Sequence, residues 1–168
     1  MLVFASAMFS GTLLDPVNFL RAMIAFIAFS FMSSTIYIIN DIVDVEKDRQ
    51  HPDKCRRPIA SGAVSIPLAI VTAIVLAGSS VGASLYVNLE LTGILLVYFI
   101  LNLAYSLHLK HVVLIDVMII AAGFVLRATA GAVAVDGELT SWFVLCTLLL
   151  SLFLALGKRR HELELFRD

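Results

Sequence analysis

The chain has 168 residues, 60% of them apolar and 15% charged, with a formal net charge of −1 and a mean hydropathy of +0.97. A soluble domain carries about 45–50% apolar and about 25% charged residues, so an ordinary soluble domain is excluded; disorder, which needs low hydrophobicity and high net charge, is excluded as well. The near-zero net charge also argues against a broadly basic nucleic-acid binder.

A membrane-spanning helix needs about 20 apolar residues. Residues 1–14 form an apolar piece too short to span. It has no basic leader and no distinct small-residue cleavage site, so it is not a signal peptide; it reads as the tail end of a helix whose beginning is absent. Five longer stretches follow, at 17–40, 66–86, 91–109, 112–135 and 140–157. Backbone in lipid must satisfy its own hydrogen bonds, so each is predicted to be a helix. The expected architecture is all-α: one polytopic transmembrane bundle over 1–168, with about five spans and a partial N-terminal helix. Asp15-Pro16 reads as an N-cap followed by proline at the first helical position. Ser65 and Thr140 are N-cap candidates, and Asp136-Gly137 marks a turn. Gly78 and Gly82, four apart, suggest close helix packing.

The basic residues set the expected sidedness. Of the 12 Lys and Arg, Lys47, Arg49, Lys54, Arg56 and Arg57 lie in one loop, Lys110 in the next alternate connection, and Lys158, Arg159, Arg160 and Arg167 near the end. The positive-inside rule puts these three regions in the cytoplasm and Tyr86 and Trp142 at the opposite interface. Cys55 then lies in a cytoplasmic loop and Cys146 within a span, so no disulfide is expected.

The strongest local signal is Asn40-Asp41-x-x-Asp44-x-x-x-Asp48 at the end of the first long stretch. On a continuous helix these four residues fall within about 100° of arc over about 12 Å of rise. Like charges at such spacings destabilise a helix, so a cation is expected to compensate them. Carboxylate oxygens suit Mg²⁺, which commonly binds through one or two carboxylates and substrate phosphates; a solvated helix end is the plain alternative. The loop then supplies His51, Lys54, Arg56, Arg57 and Pro58-Ile59-Ala60-Ser61-Gly62. Its cations either meet a polyphosphate or express membrane topology alone. Asn102 and Tyr105 share a face near the end of the third long stretch, followed by Lys110, which either snorkels or holds a phosphate. In the fourth stretch Asp116 and Arg127, 11 residues apart, share a face with Gly123 and Gly131. Charges at that depth are functional candidates, although Arg127 could instead bond to backbone or pair with another span. The last stretch exits into Gly157-Lys158-Arg159-Arg160-His161-Glu162, either a basic membrane border or a site of cations and one carboxylate.

Together these motifs resemble the UbiA superfamily of intramembrane prenyltransferases. The strings Asp48-Arg49-x-His51-Pro52-x-Lys54-x-x-Arg57-Pro58-Ile59-Ala60-Ser61-Gly62, Gly123-Phe124-Val125-Leu126-Arg127-Ala128 and Gly157-Lys158-Arg159 with Glu162-Leu163 are most similar to its decaprenyl-phosphate phosphoribosyltransferase-like branch. The resemblance implies Mg²⁺-dependent transfer of phosphoribose from 5-phosphoribosyl 1-diphosphate (PRPP) to a polyprenyl phosphate, releasing pyrophosphate. In corynebacteria and mycobacteria such a step feeds cell-wall arabinan synthesis, which implies a prokaryotic plasma membrane. It casts Asp41, Asp44 and Asp48 as metal-holding and catalytic. Asn40 would orient the site. Lys54, Arg57, Lys158 and Arg159 would meet the PRPP phosphates, with Glu162 beside them; Lys110 and Arg127 would meet the lipid phosphate, and Tyr105 the substrate cavity. Aromatic prenyltransferases of the superfamily carry a second Asp-rich motif where this chain has Lys158 to Glu162, which favours a donor with an extra phosphate. Prenyl transfer from a prenyl diphosphate is the enzymatic alternative, and an inactive membrane fragment is the non-catalytic one. Family members usually have nine spans, more than this chain contains.

Overall fold

Long apolar runs with no β-branched alternation fold as helices here. The computed structural model describes residues 2–9, 11, 14–107 and 113–165; at 6, 7, 107, 113, 114 and 158–165 only the course of the backbone is described. The helices are α1 (Leu2–Phe9), α2 (Pro16–Val43), α3 (Val45–Gln50), α4 (Ile66–Val87), α5 (Leu89–Leu107), α6 (Val113–Ala134) and α7 (Ser141–Leu165), with a short 3₁₀ turn at Lys54–Arg56. No strand occurs among the described residues. Four of the five expected stretches are long and apolar enough to cross a membrane: α2, α4, Leu89–Ser106 of α5 and Ile115–Ala134 of α6. The apolar part of α7, Ser141–Gly157, is shorter. The short N-terminal piece is helix α1, which packs on α6 and α2.

Helix α2 is the hub. It packs against α4, α5, α6 and α1, while α6 joins α1, α5 and α7 to it. Small side chains on its inner face, Ala22, Ala25 and Ala28, are fully buried and let neighbouring backbones approach closely. Larger groups fill the gaps between helices: Phe29, Met32, Leu91, Leu95 and Tyr98 form one buried cluster with Ala130 and Ala134. Polar side chains bond across helices, Ser80 Oγ to the Ala28 carbonyl at 2.6 Å and Thr35 Oγ1 to the Ala73 carbonyl at 3.4 Å.

One end of the bundle is pinned by polar contacts. Arg21 on α2 pairs with Asp136 after α6 at 2.7 Å. Asn88 donates to the Val133 carbonyl at 3.0 Å, and its side-chain oxygen accepts from the Leu91 amide at 2.7 Å. Asp136 has φ +50 ahead of Gly137, consistent with the expected turn.

Local signals held unevenly. Asp15 caps α2, accepting from the Val17 amide at 3.3 Å, with Pro16 in the first turn. Ser65 occupies the N-cap of α4, but its side chain makes no capping bond. Gly78 and Gly82 do not mediate packing among the described residues: they are exposed, and a side chain at either would meet nothing within 4 Å. The reason is rotational. The buried face of α4 runs through Ala69, Ala73, Ser80 and Ser84, and positions 78 and 82 lie roughly opposite it at about 100° per residue.

Candidate functional site

The acidic motif lies where α2 ends. The helix is not continuous through it, contrary to the regular spacing assumed from the sequence. It stops at Val43, and Asp44 takes φ −93, ψ 7 between α2 and α3. Helix-type hydrogen bonds still cross the break: Asp44 N donates to the Asn40 carbonyl at 2.9 Å and Asp48 N to the Asp44 carbonyl at 2.8 Å. The motif therefore keeps roughly its helical order.

Arg57 supplies the compensating cation. Its Nη1 donates to Asp41 Oδ1 at 2.8 Å and to Asp48 Oδ2 at 2.9 Å. The Asp48 side chain is only 5% exposed, so its charge requires such a partner; Asp41 and Arg57 are more open, at 27% and 37%. Among the described residues no three Asp, Glu, His or Cys side chains converge as a metal cluster. The structure brings Asp41 and Asp48 together through a guanidinium and leaves Asp44 at the helix break. The donor set, carboxylate oxygens with the Asn40 amide one turn before, has the chemistry of a hard divalent cation. A cation already sits between two of its members, so the set fits a positive ion there.

The loop that delivers Arg57 is held in place. Arg49 Nε donates to the Ala60 carbonyl at 3.2 Å, and its Nη1 pairs with Glu46 at 2.9 Å. Val45, Ile59 and Ala69 bury a small apolar cluster beneath it. Gly62 turns the chain at φ +80, a conformation that favours glycine. His51 is a turn former: its Nδ1 accepts from the Asp53 and Lys54 amides at 3.2 and 3.4 Å. Lys54 and Arg56 are exposed at this rim.

Inside the rim, Ser106 Oγ donates to Asn40 Oδ1 at 2.7 Å and ties α5 to the motif. Asn40, Asn102, Tyr105, Ser106 and Arg127 line one cavity of about 350 Å³ among α2, α5 and α6. The shared face expected of Asn102 and Tyr105 is observed, and Asn40 and Arg127 line the same cavity. A second cavity of about 450 Å³ is lined mainly by apolar groups, including Leu2, Val3, Phe26 and Phe29. Ser33, Tyr37, Phe124 and Arg127 line both. Arg127 donates to the Tyr98 hydroxyl and to Ser33 Oγ, and its guanidinium lies 5.0 Å from the centre of the Tyr98 ring. Asp116 is buried on the same helix but lines neither cavity, so the shared-face reading does not make it a partner of Arg127 there.

Sequence reasoning missed Tyr98, Ser33 and Ser106. A usable signal existed for the first: Tyr98, Asn102 and Tyr105 follow an i, i+4, i+7 pattern, one helix face. Lys110 lies outside the described residues. Lys158, Arg159 and Glu162 lie on the backbone of α7, and their side chains are outside the described residues.

Residues 1–159 match the UbiA prenyltransferase family. The chain is 43% identical over 145 residues to the decaprenyl-phosphate phosphoribosyltransferase of Mycolicibacterium smegmatis, covering 86% of this chain and 46% of that protein. It is 38% identical over 161 residues to the protein of the same name in Mycobacterium tuberculosis, covering 95% of this chain and 53% of that one. The chain thus spans about half the length of these curated relatives. Its fold matches that of a UbiA homologue from Archaeoglobus fulgidus bound to DMAPP and Mg²⁺, with a TM-score of 0.75 at 20% identity, covering 90% of this chain and 55% of that one.

Proposed function

The chain belongs to the UbiA prenyltransferase family, and from that premise we propose that it carries out Mg²⁺-dependent transfer of 5-phosphoribose from PRPP to a polyprenyl phosphate such as decaprenyl phosphate. The observation that carries this reading is its 38–43% identity to relatives bearing the name decaprenyl-phosphate phosphoribosyltransferase. An oxygen of the lipid phosphate attacks the anomeric carbon of PRPP. The bond from that carbon to pyrophosphate breaks, and pyrophosphate leaves with the electron pair.

Asp41, Asp44 and Asp48 would hold Mg²⁺, whose charge stabilises the departing pyrophosphate. Arg57 exchanges its two carboxylates for phosphate oxygens, which the exposed Lys54 also meets. Asn40, fixed by Ser106, orients the reacting end. Arg127 meets the lipid phosphate, and Tyr105 and Asn102 bound the cavity in which the sugar turns. Lys110, Lys158 and Arg159 complete the phosphate-binding set, with Glu162 beside the last two. The apolar surroundings deeper in the bundle strengthen the Asn40 and Arg127 contacts and exclude water from the cation-like carbon. The chain works in a prokaryotic plasma membrane, with the Arg57 rim facing the cytoplasm.

The test is to supply membranes containing this protein with Mg²⁺, labelled PRPP and a polyprenyl phosphate. Lipid-linked phosphoribose and pyrophosphate, both lost with a chelator, are the expected products. Their absence, while active-control membranes prepared in parallel form them, overturns the reading. A second reading, prenyl transfer from a prenyl diphosphate, is favoured by the DMAPP and Mg²⁺ bound to the Archaeoglobus homologue. A prenylated acceptor formed without PRPP decides for it.

A further inference from the structure

Tyr98 lies outside every motif named above, yet it is the contact that fixes Arg127. It is 3% exposed. Its hydroxyl accepts from Arg127 Nη2 and shares a hydrogen bond with Ser33 Oγ at 3.1 Å. Arg127 Nη2 also donates to Ser33 Oγ at 3.4 Å, closing a triangle across α5, α2 and α6. The ring itself is held from two sides: by Phe29, with centroids 5.4 Å apart, and by the bare backbone of Gly123, where a Cβ would lie 3.7 Å from it.

All these partners are neutral. Among the described residues the ion pairs engage Arg21, Arg49 and Arg57, and none engages Arg127. Hydroxyls and rings aim the guanidinium without cancelling its charge. A cation so placed within a span keeps its attraction for an anion, and that attraction is strong where water is scarce. Its location selects the anion. Arg127 stands on the wall shared by the polar cavity holding Asn40 and the apolar cavity lined by Leu2, Val3, Phe26 and Phe29. A ligand that uses both chambers has an anionic head on a hydrocarbon chain.

We propose that Tyr98, assisted by Ser33, is a positioning residue that holds Arg127 as the hook for a lipid phosphate monoester. The head lies toward Asn40 and the first carbons of the chain enter the apolar chamber. In naming the acceptor this rests on the phosphoribosyltransferase reading, but lipid-phosphate binding can be measured without turnover.

The experiment is calorimetric titration of the full chain in nanodiscs with farnesyl phosphate, farnesol and inorganic phosphate. The wild type binds farnesyl phosphate at least about tenfold tighter than farnesol, the worth of one charge-assisted contact. Tyr98→Phe keeps the ring and loses the hydroxyl; it weakens farnesyl phosphate about threefold to tenfold and leaves farnesol unchanged. Ser33→Ala does the same to a smaller extent, and Arg127→Gln abolishes the preference for the phosphate. In the transfer assay, Tyr98→Phe raises KM for the polyprenyl phosphate and leaves KM for PRPP unchanged. Unchanged farnesyl phosphate binding in both Tyr98→Phe and Ser33→Ala overturns the proposal. So does equal weakening of farnesol, which is general damage, or displacement of farnesyl phosphate by inorganic phosphate at comparable concentration, which leaves the apolar chamber unused. A wild type that binds as stated but transfers no phosphoribose sinks the catalytic reading and leaves this one standing.

Discussion

Two arginines, Arg57 at the rim and Arg127 within the bundle, are held in opposite ways. Arg57 is gripped by two carboxylates, and the group of three charges carries a net −1. Arg127 is gripped by two hydroxyls and an aromatic ring and keeps its full +1. The first arrangement attracts a further cation or exchanges its own; the second attracts an anion. The proposed transfer, in which a lipid phosphate attacks and a metal-bound diphosphate leaves, calls for one of each, and the chain separates them by about two turns of α2, from Ser33 to Asn40.

The contrast can be broken from either side. The largest effect is expected at the acidic end: Asp48→Asn removes the most buried carboxylate and lowers phosphoribosyl transfer by about 10²–10³-fold at saturating Mg²⁺, read as initial rate. Normal transfer in that variant would mean that the acidic group is structural. Arg127→Gln comes next, with a loss of about tenfold to a hundredfold in kcat/KM for the lipid phosphate and little change in KM for PRPP. If both substrates suffer equally, the two arginines do not divide the labour. Arg57→Gln sharpens the comparison by stability. Without divalent cation it leaves Asp41 and Asp48 facing each other and costs about 1–3 kcal/mol, because Asp48 is buried while Asp41 is partly exposed, so the melting temperature falls by several degrees. Mg²⁺ restores more of that loss than it adds to the wild type, because the carboxylates then lack their internal cation. Gly78→Ala, away from both arginines, changes the melting temperature least, by less than the equivalent of about 0.5 kcal/mol.

The helices were legible because apolar length is set by the bilayer and does not depend on partners. The same holds for the Asp15-Pro16 cap, a contact within one turn. The common face of Asn102 and Tyr105 and the inward turn of Arg127 could be anticipated from helix periodicity, since a charge in a span must turn inward; that Asn40 lines the same cavity could not. Other features depend on what a neighbouring helix presents. The spacing of Gly78 and Gly82 says that a helix could pack there, and only the rotation of α4 shows that its buried face lies elsewhere. The break at Asp44 interrupts a pattern whose residues are individually compatible with helix. The carboxylates were expected to attract a cation, but that Arg57 would reach back to both depends on the fold of a 13-residue stretch from Asp44 to Arg56, which carries little periodicity of its own. Tyr98 was hidden by its type: an aromatic residue in an apolar run is most often core, and its hydroxyl acquires meaning only opposite Arg127.

Asn88 uses both ends of one amide, capping α5 while holding the last turn of α6, and Arg21 ties α2 to the same corner. Asn40 plays the matching part at the other end, where its side-chain oxygen takes the Ser106 hydroxyl of α5. Helix α5 is thus clamped to its neighbours by one asparagine near each end, which fixes its tilt and its rotation together and so holds Tyr98, Asn102 and Tyr105 on the face that lines the cavity.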